Sequence, residues 1–258
     1  MGREEHERAV RFRTARRDPE LTVVEGFHAL KHALRFGAEL VETVATDPPA
    51  LEAMASELAP DLAGRIAGQA EFVDKETLAN LVPLVPHTGV AAIARRPRVD
   101  PEAALEDPAP APAVLLEDPR NMGNIGACIR VAAAAGAAAL LTTGENDPWH
   151  PDAVRGAAGL QFALPVAKVE SLPESDRPLL AIDPEGEELA PEELPARAVL
   201  AFGTERHGLS SEVIGRAEGR ISIPMREGVS SLNLATSVAI VLFAMKLKSG
   251  DAARTTSE

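Results

Sequence analysis

The sequence is short of aromatic residues and of cysteine. Aromatic residues occupy 3% of the 258 positions and tyrosine is absent, so the core must consist mainly of Ala, Val, Leu and Ile. The only cysteine, Cys128, excludes an internal disulfide and a cysteine-rich metal site. No run of about 18 consecutive apolar residues occurs, which excludes an ordinary membrane-spanning helix. We therefore expect a cytoplasmic protein that binds no membrane and no metal, with Cys128 in the core.

Basic residues are also scarce, since 26 Lys and Arg face 39 Asp and Glu and the formal net charge is −13. A nucleic-acid partner needs basic contacts, so this chain would have to concentrate them. Five arginines do fall within ten positions that hold no acid: Arg8, Arg11, Arg13, Arg16 and Arg17. A solvated surface of mixed sign explains this pattern equally well. The acids collect elsewhere, notably over 183–193.

The proline-rich stretch DPAPAPA at 107–113 predicts an extended linker. We predict a first domain over 1–106, a linker over 107–112, a second domain over 113–250 and a tail over 251–258. The first domain alternates strands and short helices. In the second, we predict strands at 113–117, 138–143, 162–167, 178–182, 198–202 and 220–224, and helices at 125–135, 151–159, 210–217 and 231–247. This alternation predicts a parallel α/β sheet, whose ligands bind beyond the carboxyl ends of the strands.

Three loops at predicted strand ends carry unusual residues. The first, NMGNIGACIR at 121–130, has G-x-x-G spacing, which matches neither the dinucleotide fingerprint nor the P-loop. Its glycines and asparagines fit tight turns and helix caps, or a backbone that approaches a ligand. On the following helix, Ile125, Ile129 and Ala132 are predicted to face the core. Arg130 would project near the loop, although an exposed helix arginine explains it as well.

The second loop, GTERHGLS, spans 203–210, and the third, IPMREGVSSLN, spans 223–233. A strand-end glycine such as Gly203 lets a ligand approach the backbone, and Glu205 could bind that ligand or cap a helix. Ser231 is the predicted N-cap of the last helix. Asn233 would then lie in the first helical turn, where its propensity is poor, and this indicates a functional role.

Together, these three motifs resemble those of the SpoU/TrmH family of SPOUT RNA 2′-O-ribose methyltransferases, in the same order and over about 115–240. The resemblance implies a trefoil-knotted parallel-sheet methyltransferase domain, an exception to the rule against knots, whose segment 219–245 is threaded through an earlier loop. The N-terminal part resembles the small α/β RNA-binding domain of rRNA-modifying members. The whole chain is thus expected to be α/β.

The resemblance implies methylation of a ribose 2′-hydroxyl in RNA, most simply rRNA, with S-adenosylmethionine as donor, by a homodimer. The catalytic candidates are Asn124, Arg130, Glu205, Ser231 and Asn233. The donor-binding candidates are Gly203, Ile223, Met225 and Leu232. The RNA-binding candidates are Arg8, Arg11, Arg13, Arg16, Arg17 and Arg155.

Several alternatives stay open at the level of sequence. Arg130 could act as the base, as a ligand of the substrate phosphate or as a stabiliser of the developing oxyanion. A tRNA methyltransferase, a non-catalytic RNA-binding protein of the same fold, and an enzyme that uses a nicotinamide nucleotide are the competing functions. Trp149 could stack on an RNA base or pack against its own domain.

Overall fold

The computed structural model describes residues 2–204 and 208–255, with side chains as far as Lys248. The helices in chain order are α1 (Arg3–Ala15), α2 (Phe27–Arg35), α3 (Pro48–Leu58), α4 (Ala63–Gln69), α5 (Lys75–Leu81), α6 (Pro101–Glu106), α7 (Met122–Ala135), α8 (Pro151–Gly156), α9 (Ser211–Arg216) and α10 (Leu234–Thr255). The strands are β1 (Leu21–Glu25), β2 (Leu40–Ala45), β3 (Ala70–Phe72), β4 (Val90–Arg95), β5 (Ala113–Leu116), β6 (Ala139–Thr142), β7 (Val166–Lys168), β8 (Leu179–Glu188), β9 (Val199–Phe202) and β10 (Gly219–Ser222). A short 3₁₀ helix spans Leu160–Ala163.

The described residues form two compact units. The first is drawn from Met1–Arg98 and Trp149–Ala163, and the second from Val99–Pro148 and Leu164–Glu258. The segment 149–163 lies inside the range predicted for the second domain, yet its contacts are with the first unit. The Thr22 hydroxyl, for example, donates to the Trp149 carbonyl at 2.9 Å.

The first unit is built on a sheet with the strand order β1-β4-β2-β3. The N-terminal stretch that holds the five clustered arginines forms α1, because Ala9, Phe12 and Ala15 recur on one face and are buried. Trp149 is also buried and meets Phe162 edge to face, with ring centroids 5.0 Å apart. This geometry favours packing over base stacking for Trp149.

The second unit is built on six parallel strands in the order β10-β8-β9-β5-β6-β7, which confirms the predicted parallel α/β sheet. The core face of α7 is also as predicted, because Ile125, Cys128 and Ile129 are fully buried. The start of α7 was predicted wrongly: it begins at Met122 instead of 125. The reason is an N-cap at Asn121, whose side chain accepts from the Asn124 amide at 3.0 Å.

Two strands of the second unit also differ from prediction. The segment predicted as a strand at 162–167 begins instead with the end of the 3₁₀ helix, and β7 starts only at Val166. Strand β8 continues to Glu188, well beyond the predicted end at 182. It continues because residues 187 and 188 pair with Ile221 and Ser222 of β10, after a break in register.

The proline-rich stretch is fixed to the second unit by a buried arginine. Arg177 donates to the carbonyl oxygens of Leu105, Asp107 and Ala111 at 2.5, 2.8 and 2.8 Å, and to that of Arg197 at 3.2 Å. Burial lowers the pKa of Arg177, and the four carbonyl oxygens compensate for its lost hydration. Residues 105–111 are therefore bound to this unit rather than free.

The register of the central strands decides which loops meet. Leu116 of β5 and Ile182 of β8 both pair with Phe202 of β9. Because all three strands run in the same direction, the loops after β5 and β9 and the turn inside β8 that follows Ile182 begin at one edge of the sheet. That edge carries the motifs singled out in the sequence. Within the part of the chain that is described, no helix is long and apolar enough to cross a bilayer, and no group of three or more His, Cys, Asp or Glu is arranged to hold a metal ion.

Candidate active site

A cavity of about 320 Å³ opens at the carboxyl edge of the second unit's sheet. Small-molecule sites are typically about 300–1,000 Å³, mostly apolar, with a few polar groups that fix orientation. The lining residues come from the ends of β8, β9 and β10 and from the start of α10. They are Ile182, Asp183, Pro184, Phe202, Gly203, Thr204, Gly208, Ile223, Met225, Ser230, Ser231, Leu232, Leu234 and Ser237.

The predicted donor-binding residues meet in this cavity. Gly203, Ile223, Met225 and Leu232 all line it, together with the catalytic candidate Ser231. These residues come from two loops that are twenty or more positions apart in the sequence. The cavity therefore has the apolar wall and the exposed backbone that a nucleoside ligand requires.

Gly203 is required by the backbone around it. A Cβ atom at Gly203 would overlap the carbonyl carbon of Gly208. The amides of Thr204 and Gly208 each donate to the other's carbonyl at 3.1 Å. Glu205, the catalytic candidate inside this loop, lies outside the described residues.

A carboxylate fixes the far end of this loop to the first one. Glu117, which follows β5, accepts hydrogen bonds from both the amide and the hydroxyl of Ser210, at 2.7 and 2.6 Å. The Ser210 hydroxyl in turn accepts from the Val213 amide and caps α9. Glu117 therefore binds the end of the second motif to the end of β5, four positions before the first motif begins.

A pair of asparagines connects the first and third motifs beside the cavity. The Asn233 side-chain amide donates to the Asn124 side-chain oxygen at 3.1 Å. The Asn233 oxygen accepts from the amides of Ala235 and Thr236, at 3.0 and 3.4 Å. The structure thus brings together two catalytic candidates that lie 109 positions apart.

The capping geometry corrects two predictions about the last helix. Helix α10 begins at Leu234, so Asn233 is its N-cap and Ser231 precedes it. Asn is among the best N-cap residues, and its position breaks no propensity rule. One side chain therefore both starts the helix and binds Asn124.

Arg130 does not line the cavity of its own chain. Its side chain is exposed on α7 and has no hydrogen-bond or ion-pair partner among the described residues. It lies six positions after Asn124, about 9 Å further along the helix axis. The guanidinium is therefore available to an incoming molecule.

Most of the predicted RNA-binding arginines are bound to acids inside the first unit. Arg8 is buried and lies 2.6 Å from a Glu42 oxygen and 2.5 Å from a Glu71 oxygen. Arg11 also binds Glu42, at 2.7 Å. Burial raises the pKa of Glu42, but the hydrogen bonds from Arg11 and Arg8 outweigh burial and leave it below its ordinary value. Arg8 is accordingly a structural residue, because its charge is satisfied inside the unit.

Arg16 and Arg155 share a second buried acid. Each lies 2.6 Å from a different oxygen of Glu25, whose side chain is fully buried. Arg155 also binds Asp152 at 2.8 Å. Arg13 and Arg17, by contrast, are exposed and have no partner in the described part of the chain. These two are the cations of the cluster that remain available.

Sequence reasoning missed several polar residues of this edge. Asp183, Thr204 and Ser230 line the cavity, and Glu117 supports one of its walls. A signal for Asp183 was present, because D-P-E-G directly after a strand is a turn signature at the edge where ligands bind. The surrounding acids obscured it and led to a surface interpretation.

Comparisons with known proteins agree with this architecture. Residues 111–243 match the SpoU rRNA Methylase family, and residues 23–99 match the RNA 2′-O ribose methyltransferase substrate-binding family. The chain is 28% identical to the 23S rRNA (adenosine(1067)-2′-O)-methyltransferase of Streptomyces azureus, over 88% of this chain and 87% of that one.

Two solved structures share the fold over nearly the whole chain. The SpoU methyltransferase AviRb from Streptomyces viridochromogenes, in complex with AdoMet, has a TM-score of 0.77 and 22% identity and covers 96% of this chain and 98% of its own. The AdoMet-bound rRNA methyltransferase from Sinorhizobium meliloti has a TM-score of 0.71 and 25% identity, with coverage of 96% and 95%. Three motifs on one sheet edge, and a family match over more than half the chain, lead to one conclusion: the protein belongs to the SpoU rRNA methylase family.

Proposed function

We propose that this protein methylates a ribose 2′-hydroxyl in ribosomal RNA, with S-adenosylmethionine as the methyl donor. The observation that carries the proposal is the convergence of Gly203, Ile223 and Leu232 on one cavity, beside the Asn124–Asn233 pair. The family match and the AdoMet-bound relatives support the same donor. A nicotinamide nucleotide has no comparable support, since the first loop lacks the glycine fingerprint.

The cavity fits such a donor. Its apolar side chains and backbone groups suit an adenosine, and its serine and threonine hydroxyls and one carboxylate suit the polar parts. Gly203, Ile223, Met225 and Leu232 would hold the donor, largely through main-chain groups. When bound, it supplies a methyl group already activated on a sulfonium.

The chain's own residues must then align the RNA and remove one proton. Alignment of two reactants can supply about 7–11 kcal/mol of a barrier. The Asn233–Asn124 hydrogen bond fixes the start of α10 against the start of α7, and both helix ends face the reacting edge. Glu205 and Ser231 remain candidates for ordering the site.

Arg130 acts on the ribose or its phosphate in this proposal. Its guanidinium is exposed and unpaired among the described residues, and guanidinium stays protonated in proteins. A permanent cation suits phosphate binding or stabilisation of the developing oxyanion better than removal of a proton.

Ribosomal RNA is the favoured substrate because the first unit matches the substrate-binding family over residues 23–99, and the Streptomyces azureus relative is named as a 23S rRNA enzyme. Arg13 and Arg17 are the first candidates for phosphate contacts. A cytoplasmic location is part of the same proposal, and an rRNA substrate supports it.

A homodimer is part of the same proposal. Ile240, Phe243 and Leu247 lie on one face of α10 at helical spacing, and their side chains are exposed by 37%, 37% and 67%. A second copy of the chain would cover this apolar face. The molar mass in solution tests this directly, and Phe243→Asp should shift a dimer toward monomer.

The decisive experiment maps 2′-O-methyl groups in total RNA from cells with and without the gene. One rRNA site should lose its methyl group, and the purified protein with S-adenosylmethionine should restore it on unmodified rRNA. A site lost from tRNA instead would replace the substrate, whereas unchanged methylation of every RNA would overturn the proposal. Asn233→Ala, measured in the same restoration assay, tests whether this cavity is the site.

A further inference from the structure

The strongest unassigned feature of the cavity is its only ionisable lining residue among those described, Asp183. The sequence places it among the acids of 183–193, where a solvated surface is the simple interpretation. In the structure, its side chain is only 13% exposed. An acid that is largely buried in a ligand cavity has a different role from its exposed neighbours.

A bulge in β8 holds Asp183 in place. Ala181 and Glu187 of β8 pair with Arg220 and Ile221, which are consecutive residues of β10. The residues of β8 between Ala181 and Glu187 therefore have no partners in β10 and bulge out of the pairing. This excursion is the turn D-P-E-G. Its glycine is required, because a Cβ atom at Gly186 would overlap the backbone of Arg220.

One carboxylate oxygen of Asp183 is anchored, and the other accepts no hydrogen bond from the described residues. Asp183 Oδ1 accepts from Arg220 Nη2 at 2.7 Å and from the Glu185 amide at 2.9 Å. No described residue donates to Oδ2. The two anchors fix the carboxylate, so Oδ2 is a preorganised acceptor for a donor group supplied by a ligand.

The sheet register shows where Asp183 lies relative to the Asn124–Asn233 pair. Ile182 pairs with Phe202 and Phe202 pairs with Leu116, so Asp183 lies two strands away from the loop after β5. Two strand spacings are roughly 10 Å. The Asn124–Asn233 pair stands at the β5 side, where methyl transfer is proposed. Asp183 therefore faces the part of the donor that is remote from the methyl group.

We propose that Asp183 is a specificity-determining residue that accepts a hydrogen bond from a ribose hydroxyl of the methyl donor's adenosine. A carboxylate at a strand end is a general solution for holding a ribose diol, as in dinucleotide-binding sheets. This assignment rests on the proposed binding of S-adenosylmethionine in the cavity. It adds a charged side-chain contact to a cavity whose other lining groups are apolar side chains, hydroxyls and main-chain groups.

Calorimetry with S-adenosylhomocysteine and its 2′-deoxy and 3′-deoxy analogues tests the assignment. A charge-assisted hydrogen bond lost in a desolvated site costs roughly 10- to 100-fold in affinity. The full-length wild type should therefore bind one deoxy analogue about 10- to 100-fold more weakly than S-adenosylhomocysteine. Asp183→Asn should bind S-adenosylhomocysteine as weakly as the wild type binds that analogue. The variant should no longer discriminate between the two ligands.

Asp183→Asn is the informative variant because it keeps the shape of the side chain. Its oxygen can still accept from Arg220 and from the Glu185 amide, while the free atom changes from an acceptor to a donor. Glu185→Gln is the matched control, since Glu185 binds the same Arg220 from the same turn but is exposed and outside the cavity. The control should discriminate as the wild type does, and thermal unfolding shows whether either variant is folded.

Other outcomes overturn the assignment in distinguishable ways. If Asp183→Asn weakens all analogues equally and keeps the wild-type discrimination, Asp183 only holds Arg220. If it weakens S-adenosylmethionine much more than S-adenosylhomocysteine, the carboxylate faces the sulfonium and the ribose assignment is wrong. If the wild type binds none of these ligands, the proposed function fails together with this inference.

Discussion

The arginines of the first unit and the polar loop residues of the second unit differ in whether their polar groups are already paired within the unit. Arg8, Arg11, Arg16 and Arg155 are bound by carboxylates of their own unit. In the second unit, the polar loop residues surround a cavity and several remain open to it. A basic run in a sequence therefore does not show where its counter-charges lie, whereas polar residues at the ends of parallel strands must converge.

The difference follows from geometry. Parallel strands in register bring corresponding ends to one edge, so the loops after β5 and β9 and the turn that follows Ile182 in β8 meet wherever they lie in the chain. No such rule places Glu42 beside Arg8 of α1, or Glu25 beside Arg16 just after α1. Those pairs depend on how one helix packs across a sheet, and the sequence pattern does not encode that packing.

The largest effect concerns Arg130, a polar residue of the second unit that is available to a ligand. Arg130→Ala should lower kcat of methyl transfer by about 100-fold or more, because its charge acts in the transition state. Donor affinity and stability should barely change, since Arg130 does not line the cavity. The measurement is single-turnover transfer of labelled methyl to unmodified rRNA at saturating donor.

Arg130→Lys refines this result, because an ammonium also binds phosphate and should retain part of the activity, whereas a planar, bidentate role should be lost. Transfer by Arg130→Ala at the wild-type rate would remove Arg130 from the mechanism.

The second expected effect comes from a substitution that alters the cavity wall and leaves every charge in place. In Gly203→Ala, the new Cβ overlaps the Gly208 backbone and must displace the closed loop. We expect donor affinity to fall by more than about 10-fold and the free energy of unfolding by roughly 1–3 kcal/mol. Calorimetry and thermal unfolding give the two numbers.

Gly215→Ala is the control for this variant. Gly215 lies on α9 in the same unit, and a Cβ atom there meets nothing within 4 Å. It should bind the donor normally and be at least as stable as the wild type. Equal behaviour of the two alanine variants would show that the loop tolerates a side chain at Gly203.

The third expected effect separates free from bound arginines in the first unit. Arg13→Ala and Arg17→Ala should each weaken RNA binding by a few-fold and reduce the slope of log affinity against log salt by roughly 0.7–0.9. Arg8→Ala should leave that slope unchanged and destabilise the unit, because Glu71 loses its arginine and Glu42 keeps only Arg11. If the salt slope fell only in Arg8→Ala, Arg8 would be the RNA contact, and Arg13 and Arg17 would not be.

The smallest expected effect concerns the bound pair itself and its pH dependence. The pKa of Glu42 is lowered in the folded protein, so the ionised group adds stability above its unfolded pKa of about 4.3. The free energy of unfolding of the wild type should exceed that of Glu42→Gln by about 1 kcal/mol near neutral pH. This difference should disappear as the pH falls through the lowered pKa.

Denaturant unfolding at several pH values measures this difference. Glu39→Gln, which removes the exposed pair with Arg95, should show little difference at any pH. A Glu42→Gln difference that persists at low pH would assign the stabilisation to packing rather than to charge.

Local patterns in the sequence determined the elements and the motifs. The apolar period of α7, the burial of Cys128 and the parallel alternation followed from residues close together in the chain. The donor-binding candidates Gly203, Ile223, Met225 and Leu232 followed from the resemblance of the three motifs to those of a known family, and all four line the cavity. Strand and helix periodicity, glycine turns and strand-end loops are local properties, and a sequence displays them directly.

Only the tertiary structure decided which polar groups meet. It placed Asn233 at the N-cap of α10 against Asn124, 109 positions earlier, and it bound Arg8 to two acids of the first unit. It also showed that Asp183, which stands in a run of acids in the sequence, lines the cavity. Such pairings depend on strand register and helix packing between distant segments, and a one-residue change of register would alter them while the local pattern stayed the same.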